Sequence, residues 1–421
     1  MAPFRFRCTE CAAAHDERDV ELVCPRCARL QEGGGVTRGI LDVELDDPPS
    51  RWPDAALASP GFLAAFLPIA AAEHLPPLPV GGTPLLPAPR LRAALGTPRL
   101  WVKDDTRNPS GSTKDRASLL VVAKAREYGR DTVAAASTGN AATALAAVAA
   151  AAGVRAVVFV PAAAPEAKLV QMLCYGAEVV PVDGTYDDAF ELCLEACRRR
   201  GWYNRNTALN PFTVEGKKTA ALEIAAQLGG EEADAVLVPT GDGVILSGVA
   251  KGFADLERGG LIRRRPRLVA VQPEGSAAIV DALRKGADTI TPVPGASSVA
   301  DSLTVATPRG GLLCLRRVRE SGGAGVTVTD DAIVRAIAEL ASTAGVFAEP
   351  AGAAALAGLH AALDGELVDR DERIVLLVTG TGLKDVPAAA RSVRRPEPVA
   401  PEIEAVLERF GLRPGPTTTS E

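Results

Sequence analysis

From about Leu100 onward, short apolar runs recur at intervals: TVAAAS, RAVVFVP, EVVPVD, AVLVPT, RLVAVQPE and RIVLLVTG. Helix-length amphipathic segments separate them. Strands that are apolar on both faces need cover on both sides, so the alternation predicts buried parallel strands joined by helices, an α/β architecture. KDRASLLVVAKAREYG, opening at Lys114, and the alanine-rich AATALAAVAAAAG read as two of those helices. Ahead of Leu100, DDPPSRWPD and EHLPPLPVGGTPLLPAPR are rich in proline and predict an extended linker or wrapping arm. The terminal RPGPTTTSE reads as a disordered tail.

In sheets of this kind, active sites lie beyond the carboxyl ends of the strands. Three of the runs end directly in small and polar residues: ASTGN after the first, PTGDG after the fourth and TGTGLKD after the last. These loops are placed to line one cleft.

The 421 residues, 47% hydrophobic and 23% charged, fit a globular chain of two domains plus an appendage. The net charge of -6 carries no long single-sign block beyond two short RRR runs, so neither a nucleic-acid footprint nor a membrane patch is expected. The longest apolar run is too short to span a bilayer, and MAPFRFRCTEC lacks the core of a signal peptide, which makes a cytoplasmic protein the expectation.

Of the eight cysteines, Cys8, Cys11, Cys24 and Cys27 form two pairs, CTEC and CPRC, separated by twelve residues. Two thiolate pairs on short knuckles suit a closed tetrahedral site for structural Zn2+. Disulfides are the alternative, and nothing in the sequence indicates export. Cys193 and Cys197, four apart in a helical run, read as buried small hydrophobes.

Lys114 follows the turn-rich run NPSGST and opens a helix, where the macrodipole favours anions, so helix stability does not choose a lysine there. Thr240-Gly241-Asp242-Gly243 ends a strand and precedes an apolar helix, a backbone cradle suited to phosphate, although a tight turn also explains it. Ser137-Thr138-Gly139-Asn140 offers hydroxyls and backbone donors for a carboxylate, or an ordinary N-cap. Thr379 brings a hydroxyl to the sheet edge. Together these are the parts that a pyridoxal phosphate enzyme needs: an amine, a phosphate cup, a carboxylate cradle and a partner for the ring nitrogen.

The chain resembles threonine synthases and, more widely, the fold-type II pyridoxal phosphate enzymes of the tryptophan synthase beta superfamily. The resemblance runs from GGTPLL at Gly81 to TGTGLKD at Asp385. Its pieces stand in family order: NPSGSTKDRAS, AASTGNAATALAAVAAAAGV, GAEVVPVDGTYDDAF, NPFTVEGKKTAALEIA, VPTGDGVILSGVAKGF, QPEGSA, FAEPAGAAALAGL and VTGTGLKD.

The cysteine spacing marks a four-cysteine zinc-ribbon-like module at 1–45 and the proline-rich stretches a linker at 46–80; the resemblance implies a catalytic core at 81–395 built of two mainly parallel-sheet αβα units. The smaller unit, roughly 115–215, is inserted in the larger, and 396–421 forms a tail. It makes Lys114 the Schiff-base lysine of pyridoxal 5'-phosphate and Asn140 the partner of the cofactor's 3′-oxygen. The backbone of Gly241, Asp242, Gly243, Val244 and Ile245 would take the cofactor phosphate. Ser137, Thr138 and Gly139 would take the carboxylate of an amino-acid substrate, Thr379 would face the pyridine nitrogen, and a homodimer is expected.

The implied reaction turns O-phospho-L-homoserine and water into L-threonine and phosphate. Many threonine synthases hold the substrate phosphate with an arginine three residues after the Asn of their NP element, where this chain has Thr213. Ala208 stands where serine is frequent, Asp242 where asparagine is common, Thr113 where phenylalanine precedes the lysine, and Thr381 where histidine is common. Lys218, with Lys217 beside it, is the nearest replacement cation in sequence. A serine/threonine-type dehydratase, given EPAGA at Glu349–Ala353, or a β-replacement synthase on another activated amino acid is the alternative.

Overall fold

A computed structural model describes residues 4–33, 35–162 and 166–412. The predicted tail RPGPTTTSE lies outside the described residues.

Three strands, β1 (Phe4–Cys8), β2 (Ala14–His15) and β3 (Leu41–Leu45), form an antiparallel sheet in the order β2-β1-β3. Phe4, Phe6 and Cys8 point inward while Arg5 and Arg7 face out, the period of two expected of a strand with one dry face. Phe4 and Phe6 pack on Phe212 of the NP element with ring centroids 5.9 and 5.6 Å apart.

Next come β4 (Leu85–Leu86), β5 (Leu100–Asp104), β6 (Thr132–Ala136), β7 (Arg155–Pro161), β8 (Glu178–Val182), β9 (Tyr203–Asn204), β10 (Ala235–Pro239), β11 (Arg267–Pro273), β12 (Ala324–Val328) and β13 (Ile374–Val378). The larger sheet has the order β12-β11-β10-β13-β5-β4, parallel except at β4, and the smaller one β8-β7-β6-β9 is parallel throughout. All four strands of the smaller sheet fall between β5 and β10, so that unit is an insertion in the larger. The six apolar runs are β6, β7, β8, β10, β11 and β13. Every residue of β6, β10 and β13 is buried, as a sheet covered on both faces requires.

The proline-rich arm is more structured than the sequence suggests. Pro60–Phe66 is a helix whose Ser59 Oγ accepts from Phe62 N–H at 3.2 Å, with Phe62, Leu63 and Phe66 buried. The arm lies against the far end of the helix Lys114–Glu127, where Arg126 donates to His74 O at 2.9 Å. Within the segment assigned to the tail, Ile403–Arg409 is a short helix with no buried residue. Among the described residues no helix is long and apolar enough to cross a membrane.

Candidate active site

A cavity of about 530 Å3 opens between the carboxyl edges of the two sheets, with Lys114, the Ser137–Asn140 loop, Arg205 and the Thr240–Ile245 loop in its wall. Lys114 reaches it because the turn before it is tied down at several points. Gly111 N–H donates to Asn108 O at 2.7 Å, Ser110 N–H to Asp115 Oδ2 at 2.7 Å, and Thr113 N–H to Thr379 O at 2.8 Å. Gly111 has φ +82°, and a Cβ there would lie 2.8 Å from Thr381 Cγ2, so only glycine fits.

Below Lys114, Arg116 donates to both oxygens of Asp105 (2.8 and 2.7 Å) and of Glu223 (2.6 and 2.9 Å), and Lys103 Nζ donates to Glu223 at 2.7 Å. All four side chains are fully buried, and their charges cancel. A complete network of this kind holds the first turn of the helix against β5 and the helix Thr219–Gln227.

Lys114 Nζ has no hydrogen-bond or ion-pair partner among the described residues. Burial brings its pKa down to about 8, against the opposing pull of Asp242 and with Arg205 adding to the fall. A primary amine poised there is a nucleophile at mild pH.

The PTGDG loop ends at Gly243, whose φ of +84° and position 2.6 Å (as a built Cβ) from Cys314 Cβ admit glycine alone. It is the N-cap of the fifteen-residue helix Val244–Arg258, and no side chain caps it. Its first-turn N–H groups are thus left for an anion. Asp242 also lines the cavity, its Oδ1 accepting Arg309 N–H at 3.0 Å.

On the opposite wall Gly139 N–H donates to Ser137 Oγ at 3.2 Å, and Asn140 opens the helix Asn140–Ala152. Asn140 Nδ2 donates to Glu349 Oε1 at 2.6 Å, while the buried Asn140 Oδ1 has no partner. Glu349 is itself buried, at the N-cap of Pro350–Asp364, and burial pushes its pKa up. Thr379 is buried beside the turn that carries Lys114 and is absent from the lining of this cavity.

Lys218 is not brought to the cavity. It is buried and ion-paired with Glu215 and, at 3.0 Å, with Asp255, because a lysine at that depth needs carboxylates. Lys217 donates to Thr213 O at 2.7 Å, and Thr213 spends its own hydroxyl on Asn210 O at 2.7 Å. The sequence reading passed over Arg205, Glu349 as a site residue, and Tyr186, which also lines the cavity. Glu349, directly before the helix-opening Pro350, was the one local signal.

The four cysteine sulfurs lie within 4.8 Å of one another, with 3.7 Å between Cys8 and Cys27 and between Cys11 and Cys24. Those separations are far beyond a disulfide bond, and the thiols are free. A tetrahedral ion with sulfur ligands at about 2.3 Å needs sulfurs roughly 3.8 Å apart, so the cluster fits a metal such as zinc.

This fold and cleft define a cofactor enzyme built on two parallel sheets. The chain belongs to the pyridoxal-phosphate dependent enzymes of fold type II, whose family description "Pyridoxal-phosphate dependent enzyme" matches residues 77–380. It is 36% identical over 394 residues to the threonine synthase of Methanocaldococcus jannaschii, covering 93% of this chain and 95% of that protein. To the threonine synthase of Methanosarcina acetivorans it is 35% identical over 413 residues, covering 96% and 98%. Among solved structures it is similar to maize serine racemase, with a TM-score of 0.64 and 25% identity over 78% of this chain and 93% of that one.

Proposed function

We propose that the chain is a pyridoxal phosphate-dependent lyase of the threonine synthase type, converting O-phospho-L-homoserine and water into L-threonine and phosphate. The observation that carries this reading is Lys114, an unpartnered amine set between an uncapped helix N-terminus and an orphaned amide oxygen. Those three features answer the aldehyde, the phosphate and the ring hydroxyl of pyridoxal phosphate.

In this reading Lys114 carries the cofactor and the backbone of Gly241, Asp242, Gly243, Val244 and Ile245 holds its phosphate. Asn140 would meet the 3′-oxygen, and Thr379 would offer its hydroxyl to the ring nitrogen from behind the cavity wall, at the turn that carries Lys114. Ser137, Thr138 and Gly139 orient the substrate carboxylate. The cofactor supplies a conjugated ring that spreads negative charge from the substrate's α-carbon. Lys114 would take and return the proton at the substrate's α-carbon. A neutral hydroxyl at Thr379 holds less positive charge on the ring than an aspartate would, which suits elimination and replacement better than transamination. Cys8, Cys11, Cys24 and Cys27 hold structural zinc.

The uncharged Thr213 favours a second reading: a serine/threonine-type dehydratase, or a β-replacement synthase on another activated amino acid. Product analysis of purified holoenzyme given O-phosphohomoserine, threonine and O-phosphoserine in parallel separates the two. Threonine released from the first substrate supports the main reading; 2-oxo acid from threonine with no threonine formed ends it.

A further inference from the structure

Arg205 leaves β9 immediately beside the carboxylate cradle. Tyr203 and Asn204 pair with Val133 and Ala134 of β6, and Arg205 N–H donates to Ala134 O at 2.8 Å. The next residue locks the register, since Asn206 Oδ1 accepts Ala136 N–H at 2.7 Å. Arg205 thus emerges at the same sheet edge as Ser137–Asn140.

The Arg205 side chain is 1% exposed, yet it lacks the partner that such burial demands. Its Nε reaches Ser118 Oγ at 3.3 Å, and its buried Nη2 has no hydrogen-bond partner. Among the described residues no carboxylate pairs with it. Ser118 lies one turn beyond Lys114 on the same helix face, and Arg205 and Lys114 line the same cavity, with the guanidinium's charge felt by the amine. Arg116, Lys103 and Lys218, equally buried, are each matched by carboxylates. Burial lowers the Arg205 pKa only to about 10, which leaves a cation at neutral pH. A desolvated, unmatched cation in a cavity wall is a site for an anion.

Two anions are already accounted for in the proposed reading: the cofactor phosphate at the Gly241–Ile245 loop and the substrate carboxylate at Ser137–Gly139. We infer that Arg205 receives a third, an anionic group on the side chain of the substrate amino acid. Its planar fork suits a phosphate ester, and it supplies from β9 the charge that Thr213 does not. This inference rests on the cavity being the amino-acid site.

The test uses holoenzyme and spectral titration of the bound cofactor with O-phospho-L-homoserine, O-phospho-L-serine and L-2-aminobutyrate. Arg205→Met is expected to raise Kd for the two phosphorylated amino acids at least about tenfold and to leave that of L-2-aminobutyrate within about twofold. Arg205→Lys, which keeps charge and most of the volume, should show a smaller loss with the same selectivity and serves if the methionine variant does not fold. Equal losses for all three ligands, or no loss for the phosphorylated pair, would overturn the inference. If wild type binds the phosphorylated ligands through Arg205 but releases no threonine, the threonine synthase reading fails and this inference stands. Wild-type threonine formation by Arg205→Met does the reverse.

Discussion

Asn140 Nδ2 and Glu349 Oε1, 2.6 Å apart, join the helix that opens the smaller unit's cradle to a helix packed on the larger sheet. The pair spans the cleft, and a buried carboxylate so placed also acts on Lys114. Glu349→Ala is expected to leave a buried amide donor unmet at a cost of about 1–3 kcal/mol and to weaken cofactor binding about tenfold. Glu349→Gln, which restores an acceptor, should recover most of it. Thermal unfolding and cofactor titration read both, and a wild-type Tm with wild-type cofactor affinity in the alanine variant would contradict the role.

Lys114→Ala should abolish covalent capture of the cofactor. Borohydride reduction followed by peptide mapping is expected to place the reduced adduct on Lys114 in the wild type. An adduct on another lysine would sink the assignment.

The pH dependence follows from burial of the same amine. Below about pH 8 Lys114 holds a proton and has no free lone pair; above it the amine is free. The rate at which apoenzyme captures pyridoxal phosphate should therefore rise with pH, half-maximal near about 8. A profile centred near the ordinary lysine value would mean that the cavity does not desolvate the group.

Lys218→Ala is expected to act on stability and not on substrate binding. Removing the ammonium leaves Glu215 and Asp255 short of one cation, and breaking a buried pair costs roughly 3–5 kcal/mol. KM for O-phosphohomoserine should stay within about twofold. A rise in KM of tenfold or more without a fall in Tm would restore Lys218 as a substrate contact.

Anaerobically purified protein should contain about one zinc per chain, bound by the four clustered thiols. Cys24→Ser is expected to lower Tm, because the module carries Phe4 and Phe6 onto Phe212. Protein free of zinc on metal analysis, with an unchanged Tm, would refute this.

Strands β6, β7, β8, β10, β11 and β13 were legible because each is a continuous apolar run, and the cysteine pairs because their spacing is the chemistry. β12, reading AGVTV, and the two-residue strands β4 and β9 carry too few apolar positions to announce themselves. Charge was harder. Lys218 and Arg205 are both buried cations near the NP element, and only their neighbours distinguish them: one is surrounded by carboxylates, the other is not. One of those carboxylates, Glu215, stands three residues before Lys218 and is visible in the sequence, whereas Asp255 lies 37 residues away and only the fold brings it in.

The strand order has a consequence for synthesis on the ribosome. β5, which leads into the turn before Lys114, pairs in parallel with β13, Leu100 against Ile374, and β13 stands at the centre of the larger sheet between β5 and β10. A nascent chain therefore carries its reactive lysine with one edge of β5 open until β13 has been made. The smaller sheet, contiguous in sequence, can form meanwhile, but the larger one closes only after Val378 has emerged. The chamber is thus assembled only once β13 has been made, and a product terminated before it would present exposed strand edges with no working cleft.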